Sequence, residues 1–340
     1  MKRFKLLAVG AALAIAAVAG AAQGDTLSDV QKRGIVICGV NNGQTGFAIP
    51  DNQGHWHGLS VDMCRAVASA IFGDDTKVKY APLGTKERFT ALQSGEIDLL
   101  ARESTWTFSR ENDLGLEFVA IDFYDGQGFM VRKELGVDSV LKLSGATICV
   151  QTGTTTEKNL ADYFQANKLE LKTVVFEAND QTRQAYDQGR CDAYTTDASA
   201  LASERTQLKN PSDNIILPEI ISKEPLGLVV RQGDDRWGGI VRWSFFAMLI
   251  AEEKGITQAN VDQVKSSSQD PEVRRLLGVT DDMGKMMGLS KDWGYNIIKN
   301  VGNYGECFEH NVGLKTPLGL ARGLNELWNK GGLQYAPPIR

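Results

Sequence analysis

Short apolar runs alternate with segments of helical periodicity along this chain, and that order restricts the possible folds more than any other feature. Residues 34–40, 77–81 and 97–101 are predicted to be strands, since apolar or alternating side chains are bounded there by glycine and polar turns. Helices are predicted between them, over residues 60–72 and 85–93. An order of strand, helix, strand, helix, strand is typical of a doubly wound α/β unit.

The same order occurs a second time further along the chain. Residues 145–150 and 173–176 are predicted to be strands, with a helix over residues 157–164 between them. The segments 91–98 and 185–192 also share one construction, in which a helix ends at a glycine and an acidic residue opens the next strand. The sequence therefore predicts two similar α/β lobes.

Two extended segments, residues 120–125 and 223–228, connect the predicted lobes in opposite directions. Two crossing connections of this kind form a hinge. We expect lobe 1 to comprise residues 26–122 and 228–340, and lobe 2 to comprise residues 123–227. Helices in the C-terminal region are expected to pack on lobe 1, and they are predicted over residues 237–253, 260–267, 271–277, 293–301 and near 320–330.

The first residues have the three-part pattern of a secretory signal. Lys2, Arg3 and Lys5 precede an apolar run over residues 6–20, and small residues follow. We predict a signal peptide over residues 1–22. A retained membrane helix is the weaker alternative, because the run is short for a bilayer span and ends in small residues. Removal of the signal leaves 34 basic and 42 acidic residues, a formal charge of −8, which argues against nucleic acid as a partner.

Five scattered cysteines suit an exported protein with a few disulfides. None of them forms the closely spaced pair of a zinc site. In an oxidising compartment, two bridges and one remaining thiol are the natural count. We predict that each bridge joins a buried strand to a neighbouring element of its own lobe, as Cys38–Cys64 and Cys149–Cys191, with Cys307 free.

His55 and His57 flank Trp56 in a polar turn, and they are two of only 3 histidines. A pair with this spacing can bind a metal ion, but no third ligand is apparent in the sequence. An exposed turn is the favoured interpretation. The chain has no Gly-x-Ser-x-Gly sequence and no cofactor motif, so we expect neither a catalytic site nor a bound metal or cofactor.

A polar stretch, residues 103–110, follows the predicted strand at 97–101. Thr105 and Thr107 lie on one side of an extended segment because strand side chains alternate between faces. The guanidinium of Arg110 presents a planar fork that matches a carboxylate, and the threonine hydroxyls and free backbone N–H groups supply further donors. The stretch therefore predicts a carboxylate receptor. For Arg110 alone, a surface arginine in a salt bridge is the alternative.

Asp197 follows the corresponding strand of lobe 2, directly before a helix predicted at Ala198. A zwitterion that leaves water needs both a cation and an anion, each of them also hydrogen-bonded. Arg110 and Asp197 are placed to supply these two charges from opposite lobes. The alternative is that Asp197 only caps its helix, and residues 154–156 are likewise open to a purely capping role.

Long stretches of this sequence resemble the periplasmic substrate-binding proteins of polar amino-acid ABC importers, and within that family the general L-amino-acid-binding proteins. The resemblance rests on residues 58–65 (GLSVDMCR), 191–199 (CDAYTTDAS) and 331–340 (GGLQYAPPIR). It implies a type II periplasmic binding protein fold and a monomer in the periplasm. It also implies that the chain delivers an L-amino acid to the permease subunits of an ABC importer in the membrane.

The resemblance assigns the α-carboxylate of the ligand to the arginine of a Thr-x-Thr-x-x-Arg motif, here Arg110. It assigns the α-ammonium to Asp197, and further hydroxyl and amide donors to the loop of residues 151–155. The residues expected around the zwitterion are Thr105, Thr107, Arg110, Gln151, Thr155 and Asp197.

The side-chain end of the expected site departs from the family pattern. Many relatives have an acid where this chain has Asn41, and several have an aromatic residue where it has Gln44 and Thr85. Polar, uncharged groups suit many side chains, so we expect broad specificity for L-amino acids, with polar and acidic ones favoured. Arg88 faces either this cleft or solvent, and in the cleft it would favour acidic ligands.

The main alternative from another functional class is an enzyme. Periplasmic cyclohexadienyl dehydratases, which act on prephenate or arogenate, have the same two-lobed fold, and a fold alone never decides function. An extracellular sensor domain would require a membrane helix after the binding module, and no later stretch is apolar enough. We expect a binding protein rather than an enzyme.

Overall fold

A computed structural model of the protein describes residues 25–340. The predicted signal peptide over residues 1–22 lies outside the described residues. Within them the fold contains two five-stranded sheets, with helices that follow and cover the strands. This arrangement confirms the predicted α/β class with two sheets.

Twelve strands and thirteen α-helices lie within residues 25–340. The strands are β1 (Val36–Asn41), β2 (Ile49–Pro50), β3 (Trp56–His57), β4 (Val78–Leu83), β5 (Leu99–Thr105), β6 (Leu116–Asp125), β7 (Gln127–Arg132), β8 (Thr147–Gln151), β9 (Lys172–Phe176), β10 (Ala193–Asp197), β11 (Asn214–Ile216) and β12 (Glu224–Arg231). The helices are α1 (Thr26–Arg33), α2 (Leu59–Phe72), α3 (Arg88–Ser94), α4 (Phe108–Asp113), α5 (Thr155–Ala166), α6 (Asn179–Asp187), α7 (Ala198–Thr206), α8 (Asp235–Glu253), α9 (Val261–Ser267), α10 (Pro271–Leu276), α11 (Met283–Met287), α12 (Trp293–Asn300) and α13 (Tyr304–Asn311). In this part of the chain, no helix has the length and apolarity needed to cross a bilayer.

The first sheet has the strand order β4-β1-β5-β12-β6. β1 pairs in parallel with β4 and β5, as the predicted order of strands and helices requires, and β12 pairs antiparallel with β5 and β6. The apolar core of this sheet lies against α2 and α8, where Val67 and Trp237 are buried. The Trp237 indole N–H also donates to the carbonyl of Asp98, 2.9 Å away, which ties α8 to the opening of β5.

The second sheet has the strand order β11-β7-β10-β8-β9. β8 pairs in parallel with β9 and β10, and β7 pairs antiparallel with β10 and β11. Asp192 accepts hydrogen bonds from the N–H and the hydroxyl of Thr147, at 2.7 and 2.6 Å, just before β10 begins. Asp98 accepts from the N–H of Ile37, at 2.7 Å, just before β5. The construction that the two segments share in sequence therefore anchors a strand in both sheets.

The two sheets are joined where β6 and β12 meet. These strands pair from Leu116 with Arg231 to Asp125 with Glu224, all within the first sheet. Gly126 then leads directly into β7 of the second sheet. The chain therefore crosses between the sheets close to the predicted hinge segments. The division into lobe 1 and lobe 2 at the stated residues stays a prediction.

Both predicted disulfides are present, which confirms their pairing. Cys38 of β1 is bonded to Cys64 of α2, with their Cα atoms 6.1 Å apart. Cys149 of β8 is bonded to Cys191, just before β10, with a Cα separation of 5.6 Å. Cys307 in α13 is buried and free. Each bridge therefore fastens one strand to an element packed beside it.

Four of the five helices predicted in the C-terminal region are present, as α8, α9, α10 and α12. Their buried side chains belong to the core of the first sheet, as expected. The helix predicted near residues 320–330 is wrong, because only two short 3-10 turns lie there, Gly323–Asn325 and Trp328–Lys330. Gly319 and Gly323 have φ angles of +62° and +50°. These left-handed conformations, which glycine adopts easily, interrupt a continuous helix.

The sequence analysis does not predict α13, although its first turn carries a recognisable signal. The side chain of Asn303 accepts from the N–H of Glu306 at 2.8 Å, and the Glu306 carboxylate accepts from the N–H of Asn303 at 2.9 Å. This reciprocal pair is a capping box, which satisfies backbone donors at the start of a helix. An Asn-x-x-Glu pattern before an aromatic residue could therefore have located α13.

Candidate functional site

Strand ends from both sheets meet at one polar cavity of about 40 Å³. Asn41 ends β1, Gln151 ends β8 and Asp197 ends β10, and all three line it. The carboxyl ends of strands in open α/β sheets are the usual position of ligand sites. The cavity therefore lies where the predicted site was expected, in the cleft between the two sheets.

Seven of the ten predicted site residues line this cavity, and three do not. Those that line it are Asn41, Gln44, Thr85, Arg88, Gln151, Thr155 and Asp197. Thr105, Thr107 and Arg110 lie next to it. Seven residues that the sequence analysis does not name as site residues also line it, namely Arg102, Glu103, Thr154, Thr156, Asn179, Thr196 and Ala200.

Polar side chains from the two sides of the cleft are in direct contact. The amide of Gln151 donates to the hydroxyl of Thr85 at 3.4 Å, and that hydroxyl donates to the carbonyl of Thr152 at 3.4 Å. At the rim, Lys86 forms an ion pair of 2.5 Å with Glu177. The structure therefore shows the cleft closed.

One wall of the cavity is a polar network built around Asn41. Its amide nitrogen donates to Gln44, at 2.9 Å, and to the carboxylate of Glu103, at 2.8 Å. Ser60 donates to the second oxygen of Glu103 at 2.8 Å. The Asn41 side-chain oxygen and the Gln44 side-chain nitrogen are buried and have no partner among the described residues. This wall therefore offers one free acceptor and one free donor, and such groups are costly to bury unless a ligand satisfies them.

Three arginines are buried beside the cavity, and none forms an ion pair within residues 25–340. Arg88, Arg102 and Arg110 are 3%, 4% and 9% exposed. No carboxylate oxygen of the described residues lies within salt-bridge distance of their nitrogens. Burial lowers the pKa of all three guanidinium groups. A buried cation without an anion is unfavourable, so this side of the cleft is built to receive a negative group.

The contacts of these arginines with the protein are to backbone carbonyls. Arg88, the first residue of α3, reaches the carbonyls of Arg102 and Glu103, each at 3.4 Å, and its Nε is buried without a partner. Arg102 donates through Nε to the carbonyl of Leu83 at 2.7 Å. Neutral carbonyls orient the guanidinium groups but do not neutralise them, and the carboxylates of Glu103, Asp197 and Glu224 act on them only from beyond ion-pair distance. Arg88 therefore lies at the cleft and not in solvent, the two positions that the sequence left open.

Arg110 is held just behind the cavity. Its Nη1 donates to the carbonyl of Thr105 at 2.8 Å, and its guanidinium lies 5.1 Å from the ring centre of Phe89. The hydroxyl of Thr107 accepts from the N–H of Arg110 at 3.3 Å and so caps α4. Trp106 is partly buried and stacks on Phe118 of the first-sheet core, with the ring centres 5.7 Å apart. The motif therefore fixes Arg110 through backbone and capping contacts.

Arg102 and Glu103 are neighbours in sequence, yet both line the cavity. Successive strand residues normally point to opposite faces. Glu103 has a φ angle of +24°, which is rare for any residue except glycine. This local backbone conformation breaks the alternation of β5. Sequence alternation therefore could not identify the pair, and strained backbone of this kind is often found at functional sites.

Asp197 opens α7, but its side chain makes no capping hydrogen bond. Asp125 caps this helix instead, because its carboxylate accepts a hydrogen bond from the N–H of Ser199 at 3.3 Å. Burial, together with the negative charges of Asp125 and Glu224, raises the pKa of Asp197 well above its ordinary value. The purely capping role considered for Asp197 is therefore not what the structure shows. By contrast, Thr154 does cap α5 by accepting from the N–H of Glu157.

Glu224 is a further residue of this region that the sequence analysis did not identify as a site residue. It opens β12 and is 1% exposed. Both Thr105 and Thr155 donate hydroxyl hydrogen bonds to its Oε2, at 2.6 and 2.8 Å. The one available signal was an acid immediately before Pro225 in an otherwise apolar strand. In sequence this residue is indistinguishable from a charged residue in a connecting segment.

The metal site at His55 and His57 and the enzyme were considered as alternatives, and the described residues do not support either of them. His55 lies in an exposed turn, where its Nδ1 is 3.4 Å from the carboxylate of Asp51. Within residues 25–340, no three side chains of the metal-binding types come together. The cavity is lined by arginines, carboxylates, amides and hydroxyls, and histidine is not among its lining residues. This set can bind a charged, polar molecule.

Two sheets, a hinge and a cleft with both charges define the class of two-lobed ligand-binding proteins. The chain belongs to the bacterial extracellular solute-binding proteins, family 3, whose family model matches residues 36–277. It is 61% identical over 339 residues to the general L-amino acid-binding periplasmic protein AapJ of Rhizobium johnstonii, and the match covers 99% of both chains.

Two further relatives extend this comparison. The chain is 58% identical over 331 residues to the glutamate/glutamine/aspartate/asparagine-binding protein BztA of Rhodobacter capsulatus, covering 97% of this chain and 98% of that one. A solved structure of an ABC transporter periplasmic binding protein from Brucella ovis, with glutathione bound, is 61% identical and has a TM-score of 0.92. It covers 93% of this chain and 100% of the other. These relatives are named as binding proteins and not as enzymes.

Proposed function

We propose that this protein binds L-amino acids in the cleft between its two sheets, in the periplasm, and delivers them to the permease of an ABC importer. The proposal rests on one observation: groups of opposite charge lie at one cavity, and none of them forms an ion pair within the described residues. Arg88 and Arg102 lack ion-pair partners there, and the carboxylate of Asp197 makes no hydrogen bond within the described residues. A zwitterion satisfies both kinds of charge at once.

The α-carboxylate is assigned to Arg110 and the α-ammonium to Asp197. Arg110 is not among the residues that line the cavity. Its Nη1 donates to the carbonyl of Thr105, which leaves its other nitrogens for a ligand. The N–H groups of Thr152 and Gly153 already donate within the protein, as does the Gln151 amide, so the backbone N–H groups of Thr154 and Thr155 are left as further donors to the carboxylate. Asp197 stands on the opposite side of the cleft, at the end of β10. Together with the side-chain end of the site, these two groups fix three substituents of the α-carbon, so a D-isomer would have to place its side chain where the hydrogen of the L-isomer lies.

The side-chain end of the ligand is assigned to Asn41, Gln44, Thr85 and Arg88. The free oxygen of Asn41 and the free nitrogen of Gln44 let this end accept or donate hydrogen bonds. Arg88 adds a positive charge, which favours acidic side chains. Broad specificity with a bias to glutamate, glutamine, aspartate and asparagine agrees with the printed names of the relatives AapJ and BztA.

Competition for the site tests this proposal directly. Labelled L-glutamate is bound to the mature protein and challenged with excess L-glutamine, L-alanine, L-leucine, L-histidine, D-glutamate and glutathione. We expect several L-amino acids to displace the label and D-glutamate to fail. Displacement by a single L-amino acid only would contradict the broad site. Turnover of prephenate would instead support the dehydratase alternative.

A further inference from the structure

The carboxylate of Glu224 receives four hydrogen bonds from side chains. Its Oε2 accepts from the hydroxyls of Thr105 and Thr155, at 2.6 and 2.8 Å. Its Oε1 accepts from the amide of Asn159, at 2.7 Å, and from the hydroxyl of Ser222, at 2.6 Å. Four short bonds to one carboxylate, which is 1% exposed, form a fully satisfied buried network.

The donors come from both sides of the cleft. Thr105 ends β5 of the first sheet, whereas Thr155 and Asn159 lie on α5, which packs against the second sheet. Glu224 itself opens β12, where it pairs with Asp125 at the point of crossing between the sheets. Its carboxylate therefore connects the two sides of the cleft close to the hinge. Separation of the two sides would break the bonds to Thr155 and Asn159 or the bond to Thr105.

These bonds also determine what the threonine hydroxyls can offer to a ligand. A hydroxyl has one proton to donate and two lone pairs with which to accept. The hydroxyls of Thr105 and Thr155 both donate to Oε2 of Glu224, so the single proton of each hydroxyl is already in use. Thr155 lines the cavity, and its hydroxyl oxygen, whose proton is used by Glu224, has only lone pairs left for a ligand. It therefore suits the ammonium of a ligand and not its carboxylate, in contrast to the expectation from the sequence.

We propose that Glu224 is a positioning residue of the binding site, which ties the two sides of the cleft together and orients the hydroxyls of Thr105 and Thr155 as acceptors. This rests on the proposed function, because the ligand is taken to be a zwitterionic amino acid. Glu224 acts through the threonines. The ligand carboxylate is then left to the guanidinium groups and the backbone N–H groups.

The variant Glu224→Gln tests the proposal. A carboxamide has the same shape but replaces one accepting oxygen with a donating nitrogen, so two of the four donors lose their acceptor. We expect the Kd for L-glutamate, measured by calorimetry on the mature protein, to rise roughly tenfold or more. We also expect the ligand-free variant to have a larger radius of gyration in small-angle scattering. The closed state loses hydrogen bonds across the cleft, so the open state becomes more populated.

The matched control is Asp192→Asn. Asp192 also accepts a threonine hydroxyl, from Thr147 at 2.6 Å, but both residues belong to the second sheet and lie outside the cavity. This control is expected to change the unfolding midpoint without a change in the Kd or in the radius of gyration. Equal effects of the two variants on the Kd would overturn the positioning role of Glu224.

A double-mutant cycle with Thr155→Val separates a direct action of Glu224 from one through the threonine. If Glu224 acts through Thr155, the two substitutions are not independent. The fold increase in Kd of the double variant is then smaller than the product of the fold increases of the two single variants. Fully multiplicative losses would overturn the proposal. If the unaltered protein binds no amino acid at all, the proposed function fails. The connection that Glu224 makes between the two sides of the cleft is then tested by small-angle scattering alone. An unchanged radius of gyration of Glu224→Gln would overturn it as well.

Discussion

Buried arginines that contact backbone carbonyls and an aromatic ring, but form no ion pair within the described residues, give this site its chemical character. Arg110 is held by the carbonyl of Thr105 and by the ring of Phe89, and none of its partners carries a negative charge. Such a group gains most from a ligand carboxylate, since the planar fork is already oriented. On the proposed function, selectivity for the amino-acid backbone is therefore expected to depend on Arg110 more than on any hydroxyl.

We predict that Arg110→Ala weakens binding of L-glutamate by about 3–5 kcal/mol, because a buried carboxylate loses its partner. Arg110→Lys should also bind poorly, since a point charge cannot reproduce the fork. Calorimetry measures both. Arg132→Ala is the matched control. Arg132 also donates to backbone carbonyls, those of Tyr186 and Cys191, and its guanidinium lies over the ring of Tyr186, but it does not line the cleft cavity. Affinity of Arg110→Ala within threefold of the unaltered protein would contradict the assignment.

Asp122 on β6 makes the stability of the protein dependent on pH. Burial raises its pKa from 3.8 to about 7, with a further contribution from the charge of Glu103. Between these values the folded state holds a proton that the unfolded state releases, so the contribution of Asp122 to stability falls as the pH rises from about 4 to 7. Asparagine does not titrate. We predict that Asp122→Asn gains stability relative to the unaltered protein across this range, with little further gain above it.

Urea unfolding of both proteins at several pH values between about 4 and 8 measures this difference. Asp192→Asn is expected to lose stability by a nearly constant amount over this range. Hydrogen bonds from Thr147 lower the pKa of Asp192 from 3.8, so its stabilising contribution is present throughout the range and is lost only on acidification below about pH 4. A stability difference for Asp122→Asn that does not vary with pH would contradict the account of Asp122.

At the scale of single elements, the C-terminal segment covers the free edge of β6. β6 is the last strand of the first sheet. The side chain of Asn325 accepts from the N–H of Tyr124 at 2.7 Å and donates to its carbonyl at 3.0 Å, as a neighbouring strand would do. The hydroxyl of Tyr304 donates to the carbonyl of Asp122 at 2.8 Å. An uncovered edge strand would expose such groups to unwanted pairing.

We predict that Asn325→Ala lowers the free energy of unfolding by about 1–3 kcal/mol, because both backbone groups of Tyr124 lose a partner in a site where Asn325 is 4% exposed. Urea unfolding monitored by fluorescence gives the value. Asn167→Ala is the control, since the amide of Asn167 contacts only the carbonyl of Tyr163 at an exposed helix end. A loss for Asn325→Ala no larger than for Asn167→Ala would contradict the role of this clamp.

The alternating pattern of strands and helices was sufficient to predict β1, β4, β5 and the two-sheet order. Periodicity reports local burial, and these elements are buried on regular faces. It failed over residues 320–330, where the chain is held by contacts such as the Asn325 clamp and not by helical bonds. Long-range contacts of this kind leave no periodic trace in the sequence.

The same limit applies to the site. Asn41, Gln44 and Thr85 were named from the resemblance to the amino-acid-binding family, and all three line the cavity, at or just after the ends of β1 and β4. Arg102 and Glu103 could not be predicted, because a single φ angle of +24° places both at the cavity. Glu224 could not either, since its four partners are distant in sequence or lie on other elements.

At the scale of the whole molecule, the hinge and the site are adjacent. β6 and β12 cross between the sheets at Asp125 and Glu224, and both residues contact groups that line or flank the cavity. A ligand held by Arg110 on one side and Asp197 on the other favours the closed state. On the proposed function, closure of the cleft and binding of the ligand are therefore expected to be coupled.

The most direct measurement is a crystal structure of the mature protein with L-glutamate. The account predicts one molecule in the cleft, with its α-carboxylate within hydrogen-bond distance of the Arg110 guanidinium and its α-ammonium within hydrogen-bond distance of the Asp197 carboxylate. The hydroxyl of Thr155 would accept from the ammonium. A glutamate bound outside the cleft, or held in the cleft by neither Arg110 nor Asp197, would contradict the account.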